Sequence, residues 1–180
     1  MNKIKATAVS LAFFAMVACD GESSKTVKTV KIGNQIWMAE NLNRKLSGSM
    51  CFGDNSDNCK ICGRLYDLET AMKACPKGWH LPNTAEWQTL LDFVGGKDIA
   101  GKKLKATSWN GTDDYGFTAL PCEDGVPADD GFVFLPIGMS HWWIATEKPH
   151  EISIFTTYDN VRIEEHQYSG VLNSVRCVKD

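Results

Sequence analysis

The sequence predicts an α+β domain that is stapled by disulfides. Two helical patterns lie between residues 65 and 96, and short strand-like runs dominate the chain after them. Helices and strands that occupy different parts of a chain are typical of the α+β class. The region from Cys51 to Cys177 contains six cysteines, counting both of these. An even number of cysteines outside the cytoplasm favours disulfide bonds.

The N-terminus is the reason to expect a compartment outside the cytoplasm. Lys3 and Lys5 precede a short apolar run, and residues 1–18 together resemble a secretory signal peptide that is too short to span a bilayer. The run ends in "AMVAC", which resembles the lipobox of bacterial lipoproteins and makes Cys19 the expected lipidated residue. The alternative is an ordinary cleaved signal with an incidental cysteine.

Lipidation would anchor the protein stably to a membrane of the cell envelope, because a lipoprotein N-terminus carries more than one acyl chain. Residues 19–25 then form the lipidated cysteine and a short polar tether. We expect the outer membrane or cell surface. However, Asp20 resembles an inner-membrane retention signal of some enteric bacteria, so the choice of membrane stays open.

Residues 26–180 are long enough for one domain with its own core. Removal of residues 1–18, which contain two lysines and no acidic residue, changes the net charge from −3 to −5. The positive residues are scattered and form no basic cluster, so we do not expect a nucleic-acid partner.

The first elements are a hairpin and a loop. Residues 26–38, "TVKTVKIGNQIWM", alternate apolar and polar side chains on the N-terminal side of Gly33-Asn34, a pair suited to a two-residue hairpin turn, and apolar residues resume after it. Residues 47–63 are dense in Gly, Asn, Asp and Cys and show no periodicity. They predict a loop stapled by its own cysteines.

Two helices are predicted next. Apolar residues recur at spacings of three and four from Leu65, which predicts a helix that Pro76 stops. In the second helix Asn83 is suited to the N-cap, Glu86 stands at the capping-box position, and an apolar stripe runs to Gly95-Gly96. The later strand-like runs are "GFVFLPI", "HWWIATE", "EISIFTTY", "VRIEEH" and "SVRCV".

Four long motifs carry a resemblance to a known family. They are "IGNQIWMAENLN", "GRLYDLETAMKACPKGWHLPNTAEWQTL", "GKKLKATSWNGTDDYGFTALP" and the terminal "SVRCVKD". In this order they resemble the Fibrobacter succinogenes major paralogous domain, a family of bacterial secreted and surface proteins that in turn resembles C-type-lectin-like domains. The resemblance implies two helices packed on a twisted, mostly antiparallel sheet, with both termini on adjacent strands.

The resemblance also implies a pairing of the cysteines. In lectin-like domains a cysteine at the end of the first helix bonds to one in the last strand, and Cys75 and Cys177 match these positions. Cys51 and Cys59 are neighbours in the turn-rich loop and are expected to pair. Cys62 and Cys122 remain, and both replace residues that are common in the family, which suggests one extra bond. Zinc at the "CKIC" spacing is the alternative, but no second ligand pair follows.

The stretch "CPKGWHLPNTAEW" brings Cys75, His80 and Glu86 close together in sequence and raises the alternative of a thiol active site. An oxidised Cys75 offers no thiolate, and Glu86 already has a capping role, so we expect a structural stretch. The same segment is similar to the "RLPTEAEWE" pattern of the formylglycine-generating-enzyme group. That group uses C-terminal cysteines, whereas this chain has only Cys177 there. We therefore expect no catalytic residues.

Aromatic side chains are the predicted binding face. Trp142 and Trp143 are consecutive in a predicted strand, so their side chains point to opposite faces, and on a one-sided sheet one of them would be exposed. An exposed ring can stack on a pyranose, and Trp109, Tyr115 and Tyr158 lie in segments that could join it. The alternative is that each aromatic packs under a loop.

These observations predict a non-catalytic binding or adhesion lipoprotein, and the family's abundance in fibre-degrading bacteria suggests plant polysaccharide as the ligand. The alternatives are a structural or protein-interaction subunit of an envelope complex and, more distantly, a degenerate enzyme of the formylglycine-generating group. No cofactor is expected. Calcium is an option because residues 53–58 and 124–131 supply oxygen ligands, although neither has the twelve-residue calcium-loop pattern.

Overall fold

A computed structural model describes residues 27–122, 124–134, 138–146, 150–155, 158–165 and 170–180. The predicted signal peptide, the lipidation of Cys19 and the tether lie outside these residues. Among the described residues, no helix is both long and apolar enough to cross a membrane.

The described part of the chain contains four α-helices and twelve short strands, which confirms a mixed α+β class. The helices are α1 (Ser56–Cys62), α2 (Leu68–Ala74), α3 (Thr84–Phe93) and α4 (Lys97–Leu104). The strands are β1 (Thr29–Ile32), β2 (Gln35–Met38), β3 (Ser49–Met50), β4 (Leu65–Tyr66), β5 (Trp79–His80), β6 (Gly125–Ala128), β7 (Gly131–Phe134), β8 (Met139–Ile144), β9 (His150–Phe155), β10 (Val161–Glu165), β11 (Asn173–Ser174) and β12 (Val178–Lys179).

The strands form two main sheets and one separate hairpin. The first sheet has the order β1-β2-β12-β5, so the last strand lies beside the first hairpin. The predicted turn is present, and Gly33 adopts a φ of 60° there, which glycine tolerates at no steric cost. The second sheet has the order β10-β9-β8-β11-β4-β3, and β6 pairs only with β7 as a two-stranded hairpin.

The helices agree with the sequence pattern in part. The capping box of α3 is present, because Asn83 accepts from the Glu86 backbone and the Glu86 carboxylate accepts from the Asn83 backbone. The first predicted helix begins later than expected: Leu65 and Tyr66 form β4, and Asp67 caps α2 through the Thr70 amide.

Two helices were not predicted. The expected loop at 47–63 contains α1, which Asn55 caps and Gly63 ends. The second is α4, which follows α3 directly and buries Ala100, Gly101 and Leu104. Short helices of this kind carry little periodic signal, because they bury few residues: only Cys59 in α1 and three residues in α4.

The second sheet has a core on each face. On one face, aromatic side chains pack against α3 and α4; Trp37 and Trp87 have ring centroids 4.7 Å apart, and Phe117 lies 6.3 Å from Trp142. On the other face, Trp143 packs in a second cluster with Tyr66 and Ala71. The sheet is therefore covered on both sides at β8.

Three disulfides connect these parts: Cys51–Cys59, Cys62–Cys122 and Cys75–Cys177. These are the pairs that the sequence analysis expects. The third bond joins residues separated by 102 positions and ties the end of α2 to the segment before β12. The second ties the end of α1 to the segment before the β6–β7 hairpin.

Candidate functional site

A surface cavity of about 170 Å³ lies between the segment after β2 and helix α1. We call it the Asn41 groove, after the residue at its floor. The side chains that give it chemical character are Glu40, Asn41, Asn43, Lys60, Ile61 and Arg176.

Asn41 organises the floor of the groove. Its amide oxygen accepts from the Trp142 indole at 2.8 Å and from Nη2 of Arg176 at 2.6 Å. Its amide nitrogen donates to the Cys62 carbonyl at 2.9 Å and to the Ser174 hydroxyl at 3.3 Å. One side chain thus joins β8, α1 and β11, and a buried polar network satisfied in this way fixes a single packing arrangement.

Arg176 is the unusual residue of the floor because it is 1% exposed and carries a charge. Its guanidinium lies 4.2 Å from the Phe117 ring centroid and donates to the Phe117 carbonyl and to Asn41. Burial, which disfavours the charged form, lowers the pKa of Arg176 to about 9. The guanidinium therefore remains charged at neutral pH.

The rim of the groove mixes polar and apolar groups. Asn43 donates to the Cys59 carbonyl at 2.7 Å, which fixes it against α1. Lys60 is exposed and pairs with Asp57 at 2.7 Å. Ile61 is 69% exposed, the largest exposure among the large apolar side chains of the described residues. The rim therefore offers hydrogen-bonding groups beside an apolar surface.

The predicted aromatic binding face is not present as such. Trp142 and Trp143 do point to opposite faces of β8, but both are buried, because the sheet is covered on both sides and not on one. Trp109 is also buried, beneath the Lys105 ammonium. The expectation that one of the paired rings is exposed is therefore wrong.

The two tyrosines of the same prediction lie apart from the groove. Tyr115 is half-buried and packs edge-on against Phe93, with ring centroids 5.7 Å apart. Tyr158 is 57% exposed. None of the five predicted aromatics lines the Asn41 groove, although Trp142 donates its indole N–H to Asn41.

Sequence reasoning missed Asn41 and Arg176 as site residues, although both stand in the motifs that carry the family resemblance. The available signal was a polar residue next to apolar ones in each of two motifs, "WMAENL" and "SVRCV". Their contact joins positions 135 residues apart, which no local pattern in the sequence reports.

A second polar group, which we call the His141 cluster, consists of Asp124, His141, Glu151 and Asn173. His141 Nδ1 contacts the Asp124 carboxylate, and its Nε2 lies 3.6 Å from the Glu151 carboxylate. Asn173 donates to Glu151 at 2.5 Å. All four residues are buried, and Asp124 Oδ1 and Asn173 Oδ1 have no hydrogen-bond partner among the described residues.

The electrostatics of this cluster favour the imidazolium. Burial by itself lowers the pKa of His141. The hydrogen bond to Asp124 and the charges of Asp124, Glu151 and Glu164 raise the pKa by more than burial lowers it, so it lies above its ordinary value. Within the described residues, no group of three or more His, Cys, Asp or Glu side chains is placed to hold a metal ion. The residues proposed as calcium ligands at 53–58 and 124–131 do not form such a group.

The stretch 75–87 makes several structural contacts in this fold. Cys75 is bonded to Cys177, and His80 bridges the Asp180 and Glu86 carboxylates, each at 2.7 Å. Burial lowers the pKa of His80, but these two hydrogen bonds outweigh it and raise the pKa above its ordinary value. His80 therefore ties the C-terminus to the start of α3.

Comparison with known proteins gives one match. The family model described as Fibrobacter succinogenes major domain matches residues 30–179. The match spans both main sheets, all four helices and the Asn41 groove. Neither the curated proteins nor the solved structures gave a match.

Proposed function

The chain belongs to the Fibrobacter succinogenes major domain family, and from this we propose that it is a non-catalytic binding or adhesion lipoprotein of the cell envelope whose ligand is plant polysaccharide. The proposal includes a C-type-lectin-like fold, which the position of β12 beside the first hairpin and the Cys75–Cys177 bond support. It also includes lipidation at Cys19, with the protein on the outer membrane or cell surface.

The Asn41 groove is the observation that supports the proposal. Sugar-binding sites combine a few placed polar groups with an apolar surface, and the groove places Asn43, Lys60 and Glu40 beside the exposed Ile61. The floor is held rigid by the Asn41 network, so little order has to be gained on binding. All six cysteines in the described part of the chain are bonded, which supports a role without a thiol nucleophile.

The test is retention of the full-length protein, in mild detergent, on cellulose, xylan and pectin, with and without a chelator. We expect Ile61→Ser and Asn43→Ala to reduce retention about fivefold or more. Met72→Ser is the matched control, because Met72 is also an exposed apolar residue but lies on α2, outside the groove. A loss of binding with chelator would indicate that a metal takes part.

A protein-interaction subunit is the second candidate, and the β6–β7 hairpin favours it. Phe132 and Val133 are 37% and 55% exposed on this hairpin, and exposed apolar side chains placed together are common at protein interfaces. Retention on none of the polysaccharides would reject the sugar proposal and favour this one. Phe132→Ser would then weaken the association with an envelope partner.

A further inference from the structure

The buried charge of Arg176 is not balanced by an ion pair within the described part of the chain. Its hydrogen-bond acceptors are the Asn41 amide oxygen and the carbonyls of Ala39 and Phe117, which are all neutral. The Phe117 and Trp142 rings lie 4.2 and 5.9 Å from the guanidinium carbon and also carry no charge. A buried cation without a counter-charge is costly, and most proteins pair it.

The guanidinium also has hydrogen-bonding capacity left. Four hydrogen bonds leave its five N–H groups, two of them from Nη1, one from Nε and one from Nη2. One Nη2 hydrogen therefore has no acceptor among the described residues. Because Arg176 lines the Asn41 groove, a group inside the groove is in a position to accept it.

Two carboxylates, Asp113 and Glu40, raise the pKa of Arg176 through their charge, but neither forms an ion pair with it. Asp113 accepts from the Thr118 amide at 2.7 Å and the Thr118 hydroxyl at 2.8 Å, and Glu40 lies in an exposed pair with Lys28. Among the described residues Lys60 at the rim pairs with Asp57, and both side chains are more than 70% exposed. Such an exposed pair is weak, so Lys60 is available to a ligand.

We infer that the Asn41 groove binds the carboxylate of a uronic acid, with Arg176 at the floor and Lys60 at the rim as its two cationic contacts. This inference rests on the proposed polysaccharide function and specifies its ligand class. A carboxylate supplies both the missing acceptor and a negative charge in direct contact with the guanidinium, whereas a neutral sugar hydroxyl supplies only the acceptor. The exposed Ile61 then contacts the apolar face of the same sugar ring.

Two forms of one polymer test the inference. Polygalacturonate and its fully methyl-esterified form have the same backbone, but only the first carries carboxylates. We expect the full-length protein to bind polygalacturonate about tenfold more tightly at low salt, because hydrogen bonds to an ionised carboxylate are stronger than those to a neutral ester. High salt should reduce this preference.

Lys60→Gln provides the residue-level test because Lys60 is exposed and its replacement does not disturb the core. We expect it to weaken binding of polygalacturonate several-fold and to leave binding of the esterified polymer unchanged. Lys73→Gln is the matched control; Lys73 is an equally exposed lysine that pairs with Glu69 on α2. Arg176→Lys, checked for folding by near-ultraviolet circular dichroism, should also lose the preference.

Each outcome separates this inference from the proposed function. Equal binding of both polymers would overturn the uronate inference and leave the polysaccharide proposal in place. A preference for polygalacturonate that survives Lys60→Gln and folded Arg176→Lys would overturn it as well, because the carboxylate would then bind elsewhere. Binding to neither polymer nor to cellulose or xylan would reject both.

Discussion

At the scale of single residues, the buried charged groups are the most informative. Arg176 and the His141 cluster are both buried, but the groups that surround their charges differ. Arg176 has only neutral partners among the described residues, whereas His141 lies between two carboxylates. From the first arrangement we infer a site for an anion, and from the second we expect the stability of the fold to depend on pH.

His141 gives the residue-scale prediction. Its folded pKa is raised, so its contribution to stability is fully present below its unfolded pKa of about 6.5 and is lost as the pH rises through the folded pKa. We expect the urea midpoint of the wild type to fall between about pH 6 and about pH 9. His141→Gln should cost about 3 kcal/mol at the lower pH, where it leaves Asp124 and Glu151 without their cation, and less at the higher pH.

His80→Gln is the comparison for this experiment. His80 also has a raised pKa, but its side chain is 41% exposed and its partners are at the surface, so we expect a change of less than about 1 kcal/mol in the same direction. Parallel curves of urea midpoint against pH for the wild type and His141→Gln would contradict the assignment of the pH dependence to the His141 cluster.

At the scale of elements, helix α3 is the one that local sequence determines most completely. Asn83, Glu86 and the buried stripe of Trp87, Leu90 and Leu91 all favour the same helix and the same buried face. Helix α1 lacks such a stripe, since Cys59 is its only buried residue, and it depends on two disulfides that tie Cys59 and Cys62 to other segments.

The cap of α3 is testable on its own. Asn83→Ala removes the side chain that accepts from the Glu86 amide and should lower the free energy of unfolding by about 1 kcal/mol. Gln88→Ala, on the exposed face of the same helix, should change it by less than about 0.5 kcal/mol. Urea unfolding followed by circular dichroism measures both, and equal effects would argue against the capping role.

Sequence patterns therefore predict an element where several local signals agree, as for α3 and the first hairpin, and fail where tertiary contacts decide. The burial of Trp142 and Trp143 is the clearest failure. Alternation correctly places the two rings on opposite faces, but the number of layers over the sheet depends on α2, α3 and α4 together. The Asn41 groove could not be predicted for the same reason, because its floor joins distant segments.

At the scale of the whole molecule, the disulfides should contribute unequally. The chain-entropy argument predicts a loss of about 4 to 5 kcal/mol for the Cys75→Ser, Cys177→Ser pair, whose loop spans most of the domain. The Cys51→Ser, Cys59→Ser pair closes a separation of only 8 residues and should cost about 2.5 kcal/mol. Urea unfolding of the two variants would contradict this account if the short loop cost as much as the long one.

At the same scale, the resemblance of "AMVAC" to a lipobox predicts that Cys19 attaches the molecule to a membrane. We expect Cys19→Ser, expressed in a bacterium that processes lipoproteins, to lose incorporation of labelled palmitate and to move from the membrane to the soluble fraction. Cys51→Ser, which removes a disulfide but not the predicted lipidation site, should keep both. Label that persists in Cys19→Ser would contradict the lipobox assignment. An unlabelled wild-type protein would instead indicate an ordinary cleaved signal, and the proposed binding groove would then act without an anchor.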